Sequence, residues 1–271
     1  FGRDLQKVLN VPVGLIQSAV GGSPAETWMS RPVLEADPEY KAMVDAVPAA
    51  LARYEAALAK HRENLPKIRE ESQAAVAAAQ AKAKELLDAA QGKGDDEVAK
   101  ADAEGKKLVA DARRTAALRQ RGPRKPWVPS ELYHGMIAPL IPYAIQGAIW
   151  YQGEANAGRA FQYRRLFVDM IRNWRRDWGQ GDFTFLAAQL APYRKIQEQP
   201  GDSTWAELRE AQFLATRAIR NVGVASITDV GEEDDIHPRQ KEPVGARLAL
   251  AARAIAYGEK VEYSGPVFDS M

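Results

Sequence analysis

The sequence contains no cysteine, only three histidines and almost no net charge. The absence of cysteine excludes disulfides, a thiol nucleophile and thiolate metal sites, although it does not fix the cellular compartment. A formal net charge of +1 over 271 residues gives no electrostatic footprint for nucleic acid or for an anionic membrane surface. No apolar run approaches the roughly 20 residues that a transmembrane helix needs. We therefore expect one large globular domain with an accessory element.

Outside its middle part, the sequence alternates apolar strand-like runs with helical patterns. We predict strands at 12–18, 144–151, 184–189 and 222–228, each followed by a helix. Residues 162–178 place large apolar side chains at helical spacing between arginines, a pattern typical of a helix packed on a core. This order predicts an α/β fold with a parallel sheet covered on both faces.

The middle of the chain, residues 38–121, differs in composition from the rest. It is rich in Ala, Lys, Glu, Gln and Arg and poor in aromatic residues, with a glycine-containing break at 92–96. Such a composition favours two long helices folded back on each other. We expect His61, which lies in this insert, to be a solvated surface residue rather than a metal ligand. The predicted domain consists of 1–37 and 122–262, interrupted by the helical hairpin 38–121.

The segment 234–238 reads Asp-Asp-Ile-His-Pro and contains the pair of groups that nucleophilic ester cleavage requires. A histidine takes the proton of a hydroxyl nucleophile, and a nearby carboxylate fixes its tautomer and stabilises the imidazolium. His237 is the candidate base, and either Asp234 or Asp235 is close enough in sequence to orient it. The segment supplies no nucleophile.

A second segment, 147–156, runs from an apolar strand into a polar turn that contains a glycine. In open α/β sheets, ligands bind at the carboxyl ends of the strands. Gln152, Glu154 and Asn156 are therefore placed where a site is expected, and the Gln152 amide could donate to a developing oxyanion. Gly153 would allow the backbone to turn tightly. An ordinary strand end that caps a helix fits the same residues.

A third segment, 11–28, has the same form. An apolar run leads into the turn Gly21-Gly22-Ser23, and Ser23 followed by Pro24 suits the start of a helix. Exposed backbone N–H groups in such a turn can bind an anion or an oxyanion. A plain connection from a strand to a helix would look identical.

In the chain order 11–28, 147–156 and 234–238, the three segments resemble the sialate O-acetylesterase family of SGNH hydrolases. Similar strings occur at 132–140, 174–179, 189–193 and 206–212. His134 stands where relatives often have asparagine, and it could contact the substrate or the polar turn, or cap the chain there. The resemblance implies a three-layer α/β/α fold. It also implies a serine esterase without metal or cofactor, which removes O-acetyl groups from a carbohydrate outside the cytoplasm.

The resemblance also assigns roles at the predicted base. His237 would activate the serine nucleophile and later protonate the leaving sugar hydroxyl. The usual SGNH spacing selects Asp234 as its orienter, and Asp235 is the alternative suggested by relatives with an Asp-Ile-His string. A histidine oriented by a backbone carbonyl also remains open.

For the oxyanion hole, the resemblance points to the Gly21-Gly22 turn, in particular to Gly22, and to the side-chain amide of Gln152. Glu154 would hold its turn by pairing with an arginine. Arg209 is a candidate for that partner, or else it contacts the substrate.

The nucleophile of the family stands in a Gly-Gln-Ser-Asn block well upstream of the segment 11–28, and the present sequence contains no such block. Ser18 and Ser23 are the serines nearest to a family motif, but neither occupies the nucleophile position. We therefore expect the sequence to be a fragment, with a C-terminal region starting at 263–271, and we expect the fragment alone to be a poor esterase.

Two other functions remain compatible with the sequence. An acetylxylan esterase would share every residue named above and differ only in its sugar. A carbohydrate-binding or protein-interaction module on a degenerate hydrolase frame would lack the upstream serine. The helical insert could act as a lid, as a docking arm for a protein partner or polymeric substrate, or as a neutral insertion.

Overall fold

The computed structural model describes residues 1–267, and their contacts form two compact units. The first unit consists of Phe1–Val44 and the chain from Trp127 onward, and the second is Asp45–Pro126. The second unit begins later than the predicted insert because Tyr40 and Val44 are buried in the core of the first. The predicted C-terminal region at 263–271 lies partly outside the described residues.

A parallel three-stranded sheet forms the centre of the first unit. Its strands are β1 (Gly147–Trp150), β2 (Thr184–Ala188) and β3 (Val222–Ala225), in the order β1-β2-β3. Three of the four predicted strands are thereby confirmed. Helices α6 (Ala160–Trp178) and α7 (Thr204–Ala218) connect them, because parallel neighbours require a crossover.

The central strand β2 separates two cores. Phe185 and Ala187 belong to the larger core with residues of α6 and α7, whereas Leu186 and Ala188 belong to the smaller one. The smaller core also contains residues of α8 (Glu242–Ile255) and Leu5 of α1 (Gly2–Leu9). Because successive side chains of a strand point to opposite faces, this division gives the predicted α/β/α layering.

The remaining elements of the first unit are short. Two helices, α2 (Arg31–Ala36) and α3 (Pro38–Asp45), follow the Gly-Gly-Ser turn at 21–23. Short 3-10 helices occupy Ala25–Trp28, Ala138–Leu140 and Glu154–Arg159, and one π-helical turn occupies Tyr133–Ile137.

The prediction of a fourth strand, at 12–18, is wrong for the described residues. This segment has no regular structure, and Leu15 and Ile16 are 65% and 58% exposed. At the outer edge of the sheet, Ile149 of β1 is also 48% exposed, and no described strand pairs with that edge. A strand requires a neighbour that satisfies its N–H and C=O groups, so the apolar pattern alone does not create one.

The second unit consists of two long helices, α4 (Val47–Ala90) and α5 (Asp95–Arg121), joined by a short turn at the predicted break. They run antiparallel, because Gly105 lies against Ala83 whereas Arg119 pairs with Glu71 farther from the turn. His61 is half-buried beside Gln120 rather than fully solvated, with 3.3 Å between its Nε2 and the Gln120 carbonyl oxygen. None of the helices between residues 1 and 267 is long and apolar enough to cross a membrane.

Tryptophans pack edge to face at the centre of the larger core. Trp150 of β1 lies 5.9 Å from Trp28 and 5.8 Å from Trp174, measured between ring centroids. The Trp174 indole N–H donates to the Trp28 carbonyl oxygen at 2.7 Å. Helix α6 therefore holds the segment around Trp28, just after the Gly-Gly-Ser turn, by packing and by a buried hydrogen bond.

We predict that Trp174→Phe lowers the free energy of unfolding by about 1–3 kcal/mol, because it leaves the buried Trp28 carbonyl without a donor. Trp178→Phe is the matched control, since the Trp178 indole donates to Tyr143 at an exposed position. Equilibrium urea unfolding followed by circular dichroism measures both variants. Equal losses in the two variants would contradict the prediction.

Candidate functional site

Asn156 is the centre of a buried hydrogen-bond network that joins two of the predicted site segments. Its Oδ1 accepts from the Ala25 backbone N–H at 2.9 Å and from Gln152 Nε2 at 2.6 Å. Its Nδ2 donates to Glu26 Oε2 at 3.0 Å. Only 1% of Asn156 is exposed. The turn after β1 and the Gly-Gly-Ser turn are therefore one connected structure, although they are far apart in sequence.

Gln152 uses its whole amide group inside this network. Its Nε2 donates to the Ser23 carbonyl at 3.1 Å as well as to Asn156, and its Oε1 accepts from the Tyr163 hydroxyl at 3.0 Å. Both amide protons are thus engaged, as burial of a polar group requires. In this conformation the predicted oxyanion donor connects the two turns and has no free N–H for a ligand.

The predicted pairing of Glu154 with Arg209 is absent from the described structure. The carboxylate that fixes the turn is Glu26, which pairs with Arg159 at 2.6 Å. Glu154 affects the neighbouring Tyr151 only through its charge. Burial raises the pKa of the Tyr151 phenol to about 12, and the negative charge of Glu154 makes a smaller contribution in the same direction.

The turn after β1 is also fastened to α7 and to the end of β2. The Gln212 side chain donates to the Gln152 carbonyl at 3.0 Å and accepts from the Leu190 N–H at 2.8 Å. Sequence reasoning gave Gln212 no role. The signal that could have found it is the string 206–212, which ends in a glutamine on an otherwise apolar helix face.

The Gly-Gly-Ser turn is open on its glycine side and closed on its serine side. Gly21 and Gly22 are exposed, and Gly22 has a left-handed φ of 74°. Ser23 is buried, and its hydroxyl donates to the Val20 carbonyl at 2.7 Å and accepts from the Trp28 indole. The backbone of the two glycines is therefore accessible to a ligand, whereas the Ser23 hydroxyl is not.

The other candidate serine is engaged as well. The Ser18 hydroxyl donates to the Met136 carbonyl at 3.1 Å. His134, in the same π-helical turn as Met136, is exposed, and the centroid of its ring lies 5.5 Å from that of Tyr133. Within residues 1–267, His134 makes no side-chain hydrogen bond to the turn after β1.

His237 lies in an exposed loop beside one carboxylate. Its Nδ1 is 3.5 Å from Asp235 Oδ1, which also accepts the His237 backbone N–H at 2.8 Å. The side chain of His237 is 87% exposed. Asp234, which the usual SGNH spacing selects as the orienter, is exposed and makes no described contact with the ring. The local geometry favours the alternative, Asp235, because its side chain turns back onto the His237 backbone.

Contacts on both sides anchor the His237 loop. Glu232 forms a parallel bridge with Tyr193, and the Arg194 N–H donates to the Glu233 carbonyl at 3.0 Å. On the other side, the Lys241 ammonium lies 4.7 Å from the centre of the Tyr151 ring. The loop that carries the candidate base thus contacts the residue next to Gln152. No cluster of three or more metal-ligating side chains occurs in the described chain.

Comparisons with known proteins agree with the resemblance. A family model described as carbohydrate esterase, sialic acid-specific acetylesterase, matches residues 95–254. The sialate O-acetylesterase of Mus musculus is 28% identical over 98% of this chain and 44% of the mouse protein. That of Homo sapiens is 32% identical over 51% of this chain and 29% of the human protein.

A solved structure is similar as well. The crystal structure of a carbohydrate acetylesterase from Xanthomonas citri superposes with a TM-score of 0.63 at 30% identity, covering 99% of this chain and 42% of that one. The chain thus spans less than half the length of this structure and of the mouse and human relatives.

We predict that Gly153→Ala lowers the free energy of unfolding by about 1–3 kcal/mol. A Cβ atom on Gly153 would stand 2.3 Å from Cδ2 of the fully buried Leu208, so either that side chain or the turn after β1 would have to move. Gly21→Ala is the control, because its Cβ would meet no atom within 4 Å. Urea unfolding of both variants tests this. A Gly153→Ala protein as stable as the Gly21→Ala protein would contradict it.

Proposed function

Because this chain belongs to the family of carbohydrate esterases described as sialic acid-specific acetylesterases, we propose that it contributes the general base and the oxyanion-binding frame of a serine-type carbohydrate O-acetylesterase. The substrate would be an acetyl ester of a sugar hydroxyl.

The observation that carries this proposal is the His237 side chain beside Asp235. A ring with one nitrogen 3.5 Å from a carboxylate oxygen, and with 87% of its side chain exposed, has the features of a base that awaits a nucleophile and substrate. The carboxylate would hold the Nδ1 proton and stabilise the imidazolium, which leaves Nε2 to accept a proton. We therefore assign the orienting role to Asp235.

The proposed reaction has two steps. The hydroxyl oxygen of the nucleophile attacks the acetyl carbonyl carbon, and His237 takes the hydroxyl proton. The tetrahedral intermediate collapses, the ester bond to the sugar breaks, and His237 returns the proton to the sugar oxygen. Water then attacks the acetyl-enzyme with His237 again as base, which releases acetate and regenerates the hydroxyl.

The oxyanion would be stabilised at the Gly-Gly-Ser turn. The exposed position and left-handed backbone of Gly22 support its N–H as one donor. For Gln152 to be a second donor, it would have to give up its bond to the Ser23 carbonyl. Gly21 and Asn156 would support the turns without contacting the reacting atoms.

We propose that the nucleophile is a serine outside residues 1–271. The engagement of both candidate hydroxyls supports this, since Ser18 donates to Met136 and buried Ser23 donates to Val20. The family resemblance points to a Gly-Gln-Ser-Asn block as its source. On the same basis we propose that the whole enzyme acts outside the cytoplasm.

The test is acetate release from 4-nitrophenyl acetate and from O-acetylated sialic acid by the protein that includes the upstream region. We expect His237→Ala to reduce turnover by about 10²-fold or more. Asp235→Asn should reduce it clearly more than the matched variant Asp234→Asn, because only Asp235 contacts the ring.

Two results would contradict the assignment. One is equal activity of the Asp235→Asn and Asp234→Asn proteins. The other is strong hydrolysis by residues 1–271 alone that Ser18→Ala or Ser23→Ala abolishes. Turnover of acetylated xylan in preference to O-acetylated sialic acid would instead identify the enzyme as an acetylxylan esterase.

We further propose that the helical hairpin acts as a lid or docking arm. The accessible surface of the hairpin supports this idea. Few residues of α4 and α5 are buried, among them Ser72, Ala79 and Gly105, so most of both helices is free to contact a partner or a polymer. We expect deletion of residues 45–126 from the active protein to reduce turnover of a polymeric acetyl ester more than that of 4-nitrophenyl acetate. Unchanged turnover of both esters would contradict the proposal.

A further inference from the structure

Arg209 lies on α7 where that helix faces the candidate site. Its neighbour Leu208 packs against Gly153, so this part of α7 borders the turn after β1. The Arg209 carbonyl accepts from the Gln189 side chain, whose oxygen in turn accepts from Ser226 after β3. Arg209 is therefore at the carboxyl edge of the sheet, where ligands of α/β proteins bind.

Trp205, one turn before Arg209 on α7, connects this helix to the His237 loop. Residues four apart share one face of a helix, and Trp205 precedes Arg209 by four residues. The Trp205 indole donates to the Ala191 carbonyl at 2.7 Å, and its ring contacts that of Tyr193. Tyr193 is the residue that bridges to Glu232 of the His237 loop. Helix α7 thus contacts the partner of this loop at Trp205 and the turn that carries Gln152 at Leu208, and Arg209 lies on the same stretch of the helix.

The Arg209 guanidinium has no hydrogen-bond or ion-pair partner among residues 1–267. Among the arginines of residues 1–267, Arg209 alone is half-buried without a hydrogen bond or ion pair through its guanidinium. The adjacent Glu210 is paired with Arg164, and Glu154 makes no ion pair with Arg209. Burial lowers the pKa of Arg209, and no carboxylate offsets that effect.

A half-buried cation without a counter-charge costs stability, and such a cost is typical of a site that awaits an anion. Arginine presents a planar fork of donors that matches a carboxylate with two parallel hydrogen bonds. We propose that Arg209 binds the carboxylate of an acidic sugar and thereby selects that substrate over neutral sugars, an inference that rests on the proposed esterase function.

The experiment compares two probes that differ only at the carboxylate. Binding of N-acetylneuraminic acid and of its methyl ester to this chain is measured by titration calorimetry or by ligand-observed NMR. We expect the free acid to bind at least ~10-fold more tightly than the methyl ester. Arg209→Gln should abolish this preference, and Arg209→Lys, which keeps the charge but not the fork, should retain only part of it.

Arg220→Gln is the matched control. Arg220 is an exposed arginine without an ion pair, and it lies just before the amino end of β3, away from the site. Its replacement should leave the preference unchanged. Equal binding of the two probes, no binding of either, or the same preference in Arg209→Gln would overturn the proposal.

This assay is independent of turnover, so it separates the two proposals. If the His237→Ala enzyme remained active while the carboxylate preference depended on Arg209, the catalytic assignment would fail and the binding role would stand. If His237→Ala removed activity while Arg209→Gln kept the preference, the esterase would stand and the role of Arg209 would fail.

Discussion

Asn156 makes the three buried hydrogen bonds on which the arrangement of the candidate site depends. Because its amide supplies both an acceptor and donors, it can satisfy the Ala25 N–H, the Gln152 amide and the Glu26 carboxylate together. No single charged or apolar side chain of similar size could do this. Together with the bonds of Gln152 to Ser23 and of Trp174 to Trp28, this side chain holds the Gly-Gly-Ser turn in position relative to the sheet.

The core and this network support each other. Trp174 fastens the Trp28 carbonyl, and Trp150 packs between both rings, so the polar turns stand on a rigid aromatic base. Gln212 makes a similar buried connection, because its side chain joins the turn after β1 to the end of β2. Satisfied buried polar networks of this kind specify one arrangement of their loops.

The groups assigned to chemistry differ from the groups that hold them. His237, Gly22 and Arg209 are exposed or half-buried and have hydrogen-bonding groups accessible to a ligand, whereas Asn156, Gln152 and Gln212 are buried and hydrogen-bonded through both ends of their amides. A catalytic frame needs both kinds, because reacting groups must meet the substrate while their supports must not move. The outer edge of β1 and the exposed apolar segment 12–18 lie outside this frame.

The sequence by itself determined the alternating pattern that builds three strands, both layers of helices and the long hairpin, because periodicity and composition are local properties. It also determined the motifs that mark the site. Only the tertiary structure decided that Asp235 rather than Asp234 contacts His237, that the turn is held by a Glu26–Arg159 pair and not by one between Glu154 and Arg209, and that segment 12–18 forms no strand. Each of these depends on partners distant in sequence or on side-chain direction, which a linear pattern does not contain.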